Sequence, residues 1–170
     1  MPASDQGISA DRYTLIPRTL IFLTRGDDVL LLKGSPDKRL WSGRYNGIGG
    51  HIERGEDVLS AARRELAEET GLDFEDLHLR GTVTVDAGGA TGVGIFVFHG
   101  SLPGDSQVDL VSSNEGRLEW APIGRIEELP VVEDVPILLK EALESDRECT
   151  PFAAHSHYNA AGELEISFTR

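Results

Sequence analysis

A chain of 170 residues, 39% of them hydrophobic and with a mean hydropathy of −0.21, fits one compact soluble domain. It holds no uninterrupted apolar run long enough to span a bilayer. The 16 Lys and Arg against 29 Asp and Glu give a net charge of −13, which repels polymeric nucleic acid but admits a small phosphorylated ligand bridged to carboxylates by a divalent metal. The single cysteine, Cys149, excludes an intramolecular disulfide and a cysteine-based zinc site and is expected to pack as an ordinary side chain.

Residues 1–13 are polar and acidic without an apolar h-region, so they read as a loose tail and a cytoplasmic location is expected. Residues 14–170 read as a single domain. "RTLIFLTRGDDVLLLKG" is two apolar runs around a tight turn, which predicts strands over Leu15 to Thr24 and Asp28 to Lys33. A glycine-rich loop follows, with a short extended piece between Trp41 and Ile48. The next segment predicts a helix over Val58 to Thr70, closed by Gly71 in the left-handed position. "LHLRGTVTVDA" and "GVGIFVFHGSL" are two further strands, and the "GGATG" between them is a hairpin connection, lacking the spacing and following helix of a phosphate loop. "GRLEWAPI" reads as a strand, "VPILLKEALESD" as an amphipathic helix with Pro136 in its first turn, and "PFAAHSHYNAAGELEISF" as a closing hairpin. Hairpins outnumber crossovers, so the fold class is α/β with a mostly antiparallel or mixed sheet.

At about 100° per residue, Val58, Leu59, Ala62 and Leu66 form one apolar stripe, and Glu65, Glu68 and Glu69 lie along its edge. Like charges so placed cost a helix roughly a few tenths of a kcal/mol each. Solvation with Arg63 and Arg64 answers that cost on an ordinary charged face, and a hard divalent cation answers it at a site. The loop "NGIGGHIERGE" just upstream lets backbone approach a ligand closely.

Residues 50–72, with Gly50, Glu56, Arg64, Glu65, Leu66, Glu68, Glu69, Gly71 and Leu72, meet every specified position of G-x5-E-x7-R-E-U-x-E-E-x-G-U, where U is aliphatic. The chain thereby resembles the MutT-like Nudix hydrolase family. The resemblance implies an α/β/α sandwich around a mixed sheet and metal-dependent cleavage of a pyrophosphate bond in a nucleoside diphosphate derivative. It also implies Mg²⁺ or Mn²⁺ held by Glu65, Glu68, Glu69 and the Gly49 carbonyl, with Arg64 orienting the cluster and Glu56 supporting it. The family's general base varies. It is either a signature glutamate or an acid on a later loop, here Glu115, which reads equally well as an exposed turn residue.

"YNGIGG" further resembles the 8-oxo-dGTP diphosphatases. That implies Asn46 at the base, although Asn46 would equally hold a turn. Tyr45 and Trp41 are stacking candidates, although large aromatics more often pack in a core, and His51 would bond a phosphate or cover the loop. A human member of this subgroup reads the oxidised purine with an acidic pair before its last long helix. Glu133 and Asp134 lie comparably, in a shorter segment without the preceding tryptophan, and charge near a helix N-terminus accounts for them too. His155 and His157, alternating on a strand, lack a third ligand and read as structural.

The resemblance implies an enzyme that turns a nucleoside triphosphate, 8-oxo-dGTP foremost, into monophosphate and pyrophosphate. Alternatives are ADP-ribose, a dinucleotide or a nucleotide sugar as substrate, or a non-catalytic nucleotide-sensing regulator. Expected partners are a small nucleotide, no polymeric nucleic acid and no membrane, with the chain a monomer or homodimer.

Overall fold

The computed structural model describes residues 6–7, 11–36, 41–106, 108, 116–148 and 150–169. Among these residues eight strands form one mixed sheet: β1 (Thr14–Arg25), β2 (Asp28–Gly34), β3 (Tyr45–Asn46), β4 (His78–Val85), β5 (Thr91–Leu102), β6 (Gly116–Pro122), β7 (Phe152–Tyr158) and β8 (Leu164–Thr169). The order is β3-β2-β1-β5-β4-β7-β8, with β6 on β2. Pairing is antiparallel except for β1 with β5 and β4 with β7. Cys149 and Glu115 fall outside the described residues. Among those described, no helix is long and apolar enough to cross a membrane.

Two helices cover the two faces, α1 (Val58–Thr70) and α2 (Val135–Glu148). Strand alternation divides the core between them. Leu20, Phe22, Val29, Leu31, Val83 and Val97 pack with Leu138, Leu139 and Ala142 of α2. Ile21, Leu23, Leu30, Leu32 and Phe98 pack with Ala62 and Leu66 of α1. This is why Leu20 to Leu23 is buried without a polar break: the strand is covered on both sides. The result is the expected α/β/α sandwich. A 3-10 helix over Ile123–Glu128, which the sequence pattern did not predict, links β6 to the approach to α2.

One irregularity positions the functional loop. β1 and β2 pair only at the hairpin end, Leu23 with Leu30 through Arg25 with Asp28, while β6 accompanies β2 over its full length. Past those pairs β1 leaves β2, and the segment after β3 fills the opening. Ile21 N–H donates to Ile48 O at 2.7 Å, Ile48 N–H returns to Ile21 O at 3.1 Å, and Thr19 N–H donates to Gly50 O at 2.9 Å. The glycine loop is therefore hydrogen-bonded into the sheet's centre, immediately ahead of α1.

Helix α1 is closed at both ends. Asp57 accepts from Leu59 N–H at 2.9 Å and Ser60 N–H at 3.0 Å, satisfying two orphan donors. Gly71, at φ 73°, returns its N–H to Ala67 O at 2.8 Å. The Ser60 N–H bond, then the Ser60 hydroxyl, hold the Asp57 carboxyl below its ordinary value of 3.8. A carboxyl lowered in the folded state contributes stability that is fully present above its unfolded pKa and is lost as pH falls through the folded one. Asp57→Ala should therefore lower the thermal midpoint at pH 7, and the gap to the wild type should close as circular dichroism melts are taken below pH 3.8. Asp57→Asn, which still caps, should keep more of the midpoint at pH 7 than Asp57→Ala does.

Candidate active site

Two adjacent glycines let the loop and the helix touch. Gly49 has φ 141°, and a side chain there would run into the Thr19 carbonyl. A Cβ on Gly50 would sit 2.5 Å from Glu65 Oε1. The Glu65 carboxylate thus rests against bare backbone in a cradle that any side chain would fill.

Arg64 ties this junction together. Its Nη2 donates to Glu56 Oε1 at 2.7 Å and to His51 O at 3.1 Å, and its Nε to Glu56 Oε2 at 3.1 Å. Nη1 reaches Glu65 Oε1 at 2.9 Å and Glu68 Oε2 at 3.3 Å. One planar guanidinium therefore serves three carboxylates and a loop carbonyl, a fork that a lysine cannot reproduce. Its proton is bound more tightly than in a lone arginine because of the bonds to Glu56 and then Glu65. The Arg64 bond, then the Glu53 N–H, holds the Glu56 carboxyl below its ordinary range.

Glu65, Glu68 and Glu69 line one cavity of about 820 Å³ together with Gly49, Gly50 and Arg64. Glu65 is nearly enclosed, with 14% of its side chain exposed, whereas Glu68 is 62% exposed, so the carboxylates sit at graded depth. Among the described residues no three acidic or histidine side chains close into a ready metal shell. Arg64 Nη1 engages Glu65 and Glu68 instead. The donor set nevertheless fits a hard divalent cation by its chemistry: three carboxylates line one cavity beside a glycine cradle.

Asn46 lines the same cavity. Its Oδ1 accepts from Gly47 N–H at 2.8 Å, so it holds the turn and has its amide N–H groups left to offer. Tyr45 departs from the expectation that it joins Asn46 there. Adjacent strand residues point to opposite faces, and Tyr45 is buried in the α2-side core. It donates to Glu119 Oε2 at 2.7 Å, and the Lys33 ammonium lies 5.0 Å from its ring centroid. The bond to Glu119, then burial, pushes its hydroxyl up.

The acids before α2 stand apart from the glutamate cluster. Glu133 is exposed and Asp134 half-buried. Burial, then the charge of Glu133, pushes the Asp134 carboxyl up. Arg44, which lines the cavity, donates to Val131 O at 3.3 Å and so links the two regions. Arg18 and Arg44 were not singled out from the sequence, although an arginine inside the apolar "IPRTLIFL" run of an acidic chain was the available signal. Arg18 donates to His51 Nε2 from Nε at 3.2 Å and from Nη2 at 3.0 Å. Trp41 also lines the cavity, at φ 63°. The rings of His155 and His157 stack 5.5 Å apart on β7, where His157 Nε2 lies 3.4 Å from Glu165.

Residues 14–141 match the NUDIX domain. The chain belongs to the Nudix family. It is 32% identical over 109 residues to a Danio rerio protein named oxidized purine nucleoside triphosphate hydrolase, covering 64% of this chain and 67% of that one. It is 30% identical to the NAD-capped RNA hydrolase NudC of Pseudomonas syringae pv. tomato over 79% of this chain, spanning only 46% of that protein. The fold superposes on a MutT protein from Bacillus halodurans with a TM-score of 0.73 and 27% identity, covering 91% of this chain and 97% of that chain.

Nudix hydrolases generally use a divalent metal, and the Nudix segment here carries the acidic donors for one. The family match stops inside α2, so β7 and β8 lie beyond it. Within the Nudix loop, Gly50→Ala isolates the cradle, because the added methyl meets the mobile end of Glu65 and not backbone. The variant should melt within a few degrees of the wild type while kcat/KM falls roughly tenfold or more, in line with the cost of small misplacements at reacting centres. Parallel melts and initial-rate assays check this.

Proposed function

We propose that the chain hydrolyses purine nucleoside triphosphates, oxidised purines such as 8-oxo-dGTP foremost, to the nucleoside monophosphate and pyrophosphate. The observation that carries this reading is one cavity that joins Glu65, Glu68 and Glu69 to Asn46, Arg18 and Arg44. Its lining offers acidic donors for a metal together with guanidinium and amide donors for an anionic nucleotide. The name of the Danio rerio relative supports the substrate class.

Glu65, Glu68, Glu69 and the Gly49 carbonyl would hold Mg²⁺ or Mn²⁺, which when bound neutralises phosphate charge and lowers the pKa of water. Arg64 keeps Glu56, Glu65 and the His51 carbonyl in register before substrate arrives, so little reorganisation is left for the reaction. Arg18 and Arg44 bring positive charge to the phosphates of a substrate that the −13 chain would otherwise repel. Asn46 presents N–H donors to the base, and Glu133 with Asp134 reads the purine edge beyond Arg44. A signature glutamate or Glu115 takes the proton of the attacking water. We place the enzyme in the cytoplasm as a monomer or homodimer, without a nucleic-acid polymer or membrane as partner.

The NudC relative favours a second reading, a dinucleotide pyrophosphate as substrate. A panel assay with 8-oxo-dGTP, dGTP, NAD and ADP-ribose at saturating Mg²⁺ separates the two, and faster turnover of NAD than of 8-oxo-dGTP would overturn the first. Hydrolysis in ¹⁸O-water should label the monophosphate if water attacks the α-phosphorus and the pyrophosphate if it attacks the β-phosphorus, and in neither case a free orthophosphate. Glu68→Gln should lower kcat by about 10²-fold or more, by analogy with the loss of one stabilising group at a reaction centre. Undiminished pyrophosphate release at saturating metal would remove Glu68 from the site.

A further inference from the structure

The arginines of the cavity differ in how their charge is matched. Arg64 commits its donors to Glu56, Glu65, Glu68 and the His51 carbonyl, so carboxylates already answer its positive charge. Arg18, half-buried on β1, lines the same cavity, but it bonds the His51 ring from Nε and Nη2. A guanidinium carries N–H donors on all three nitrogens, and these contacts leave Nη1 without a partner among the described residues. His51 itself stands on an anchored backbone. Its neighbours bond β1 on either side, Thr19 N–H to Gly50 O at 2.9 Å and Ile52 N–H to Pro17 O at 3.2 Å. Arg64 fixes its carbonyl at 3.1 Å. The ring thus restrains a long side chain that would otherwise sample many rotamers.

We propose that Arg18, positioned by His51, is the seat of the terminal phosphate, and that the pair makes the enzyme select nucleoside triphosphates over diphosphates. The proposal rests on the reading of Asn46 as the base contact and of the glutamates as the metal end. The loop runs antiparallel to β1, with Ile48 opposite Ile21 and His51 opposite Arg18. Along it Asn46 comes first, Gly50 with its contact to Glu65 comes next, and His51 follows. At about 3.3 Å per extended residue, Asn46 and His51 lie at most roughly 16 Å apart, a span comparable to an extended nucleoside triphosphate. With the base at Asn46 and the reacting phosphate at the glutamates, the part of the substrate that continues past Gly50 is the leaving pyrophosphate. Its last phosphate carries about two negative charges and three acceptor oxygens, which suit a guanidinium not already paired with a carboxylate. A nucleoside diphosphate ends one phosphate short of that contact.

The measurement is the ratio of kcat/KM for 8-oxo-dGTP to that for 8-oxo-dGDP at saturating Mg²⁺, with melting temperature as control. Where the diphosphate binds without turnover, its inhibition constant against the triphosphate KM replaces the ratio. The wild type should favour the triphosphate. Arg18→Gln should lower the ratio roughly tenfold or more, the size of one hydrogen bond to a charged group. His51→Phe, which deletes the acceptor, should lower it roughly threefold through the triphosphate KM more than through kcat, the size of one side chain left to be ordered on binding. His51→Gln, which returns an acceptor, should recover part of that loss. In the Arg18→Gln background His51→Phe should lower the ratio no further, because His51 acts through Arg18. If Arg18→Gln does not fold, Arg18→Lys, which keeps the charge without the fork, should lower the ratio by less and carries the test. An active enzyme with no preference for the triphosphate overturns the assignment alone. So does an Arg18 variant that loses both nucleotides equally, or a His51→Phe effect undiminished in the Arg18→Gln background. A wild type that hydrolyses neither nucleotide overturns the functional reading beneath it, and the assignment with it.

Discussion

The arrangement depends on the electrostatics around Arg64. Glu56, Glu65 and Glu68 bring three negative charges to one guanidinium, in a chain already at −13. A helix tolerates glutamates at i, i+3 and i+4 for about a few tenths of a kcal/mol per pair when all are solvated. Glu65, nearly enclosed, lacks that option, and removing the positive partner of an enclosed carboxylate costs far more than exposed pairing gains. Arg64 therefore makes the cluster tolerable before any cation or phosphate arrives. By also holding the His51 carbonyl it couples the helix to the loop, so the electrostatic answer and the geometric one are the same side chain.

That coupling needs the opening in the sheet. If β1 and β2 stayed paired along their length, the edge of β1 that holds Ile48 and Gly50 would be taken. Because pairing ends after the hairpin, the backbone groups of Thr19 and Ile21 are satisfied by the glycine loop. The loop is thereby as well anchored as a strand while lacking the side chains that would fill the cavity. Gly49 meets the Thr19 carbonyl and Gly50 meets Glu65, so each of the two glycines is dictated by a different neighbour.

The parts legible in the sequence are those set by local chemistry. Helix α1 spans Val58–Thr70 as expected because Asp57 and Gly71 mark its ends, and β1 and β2 differ from expectation by a residue at their ends because the apolar runs end abruptly. What the sequence did not reveal is long-range. The parallel pairs β1 with β5 and β4 with β7 join segments far apart in the chain. The direction of Tyr45 needed the register of β3 on β2, Leu32 opposite Asn46 and Lys33 opposite Tyr45, which two residues cannot specify by periodicity. Arg18 and Arg44 are likewise brought to one cavity with the glutamates only by the fold.

Charge is the last link between fold and chemistry. An anionic protein that binds a polyanion must confine its attraction to one place, since the field of the whole surface opposes approach. The cavity does this with cations from three separate elements: Arg18 from β1, Arg44 from the loop before β3 and Arg64 from α1. Arg18 bonds the His51 ring, Arg44 the Val131 carbonyl, and Arg64 the glutamates and the His51 carbonyl. Because His51 of the loop bonds both Arg18 and Arg64, displacing the loop by even one strand position would break both contacts while leaving the carboxylates on the helix. The glutamates alone would then be only an acidic face. It is the sheet opening that turns them into one wall of a site.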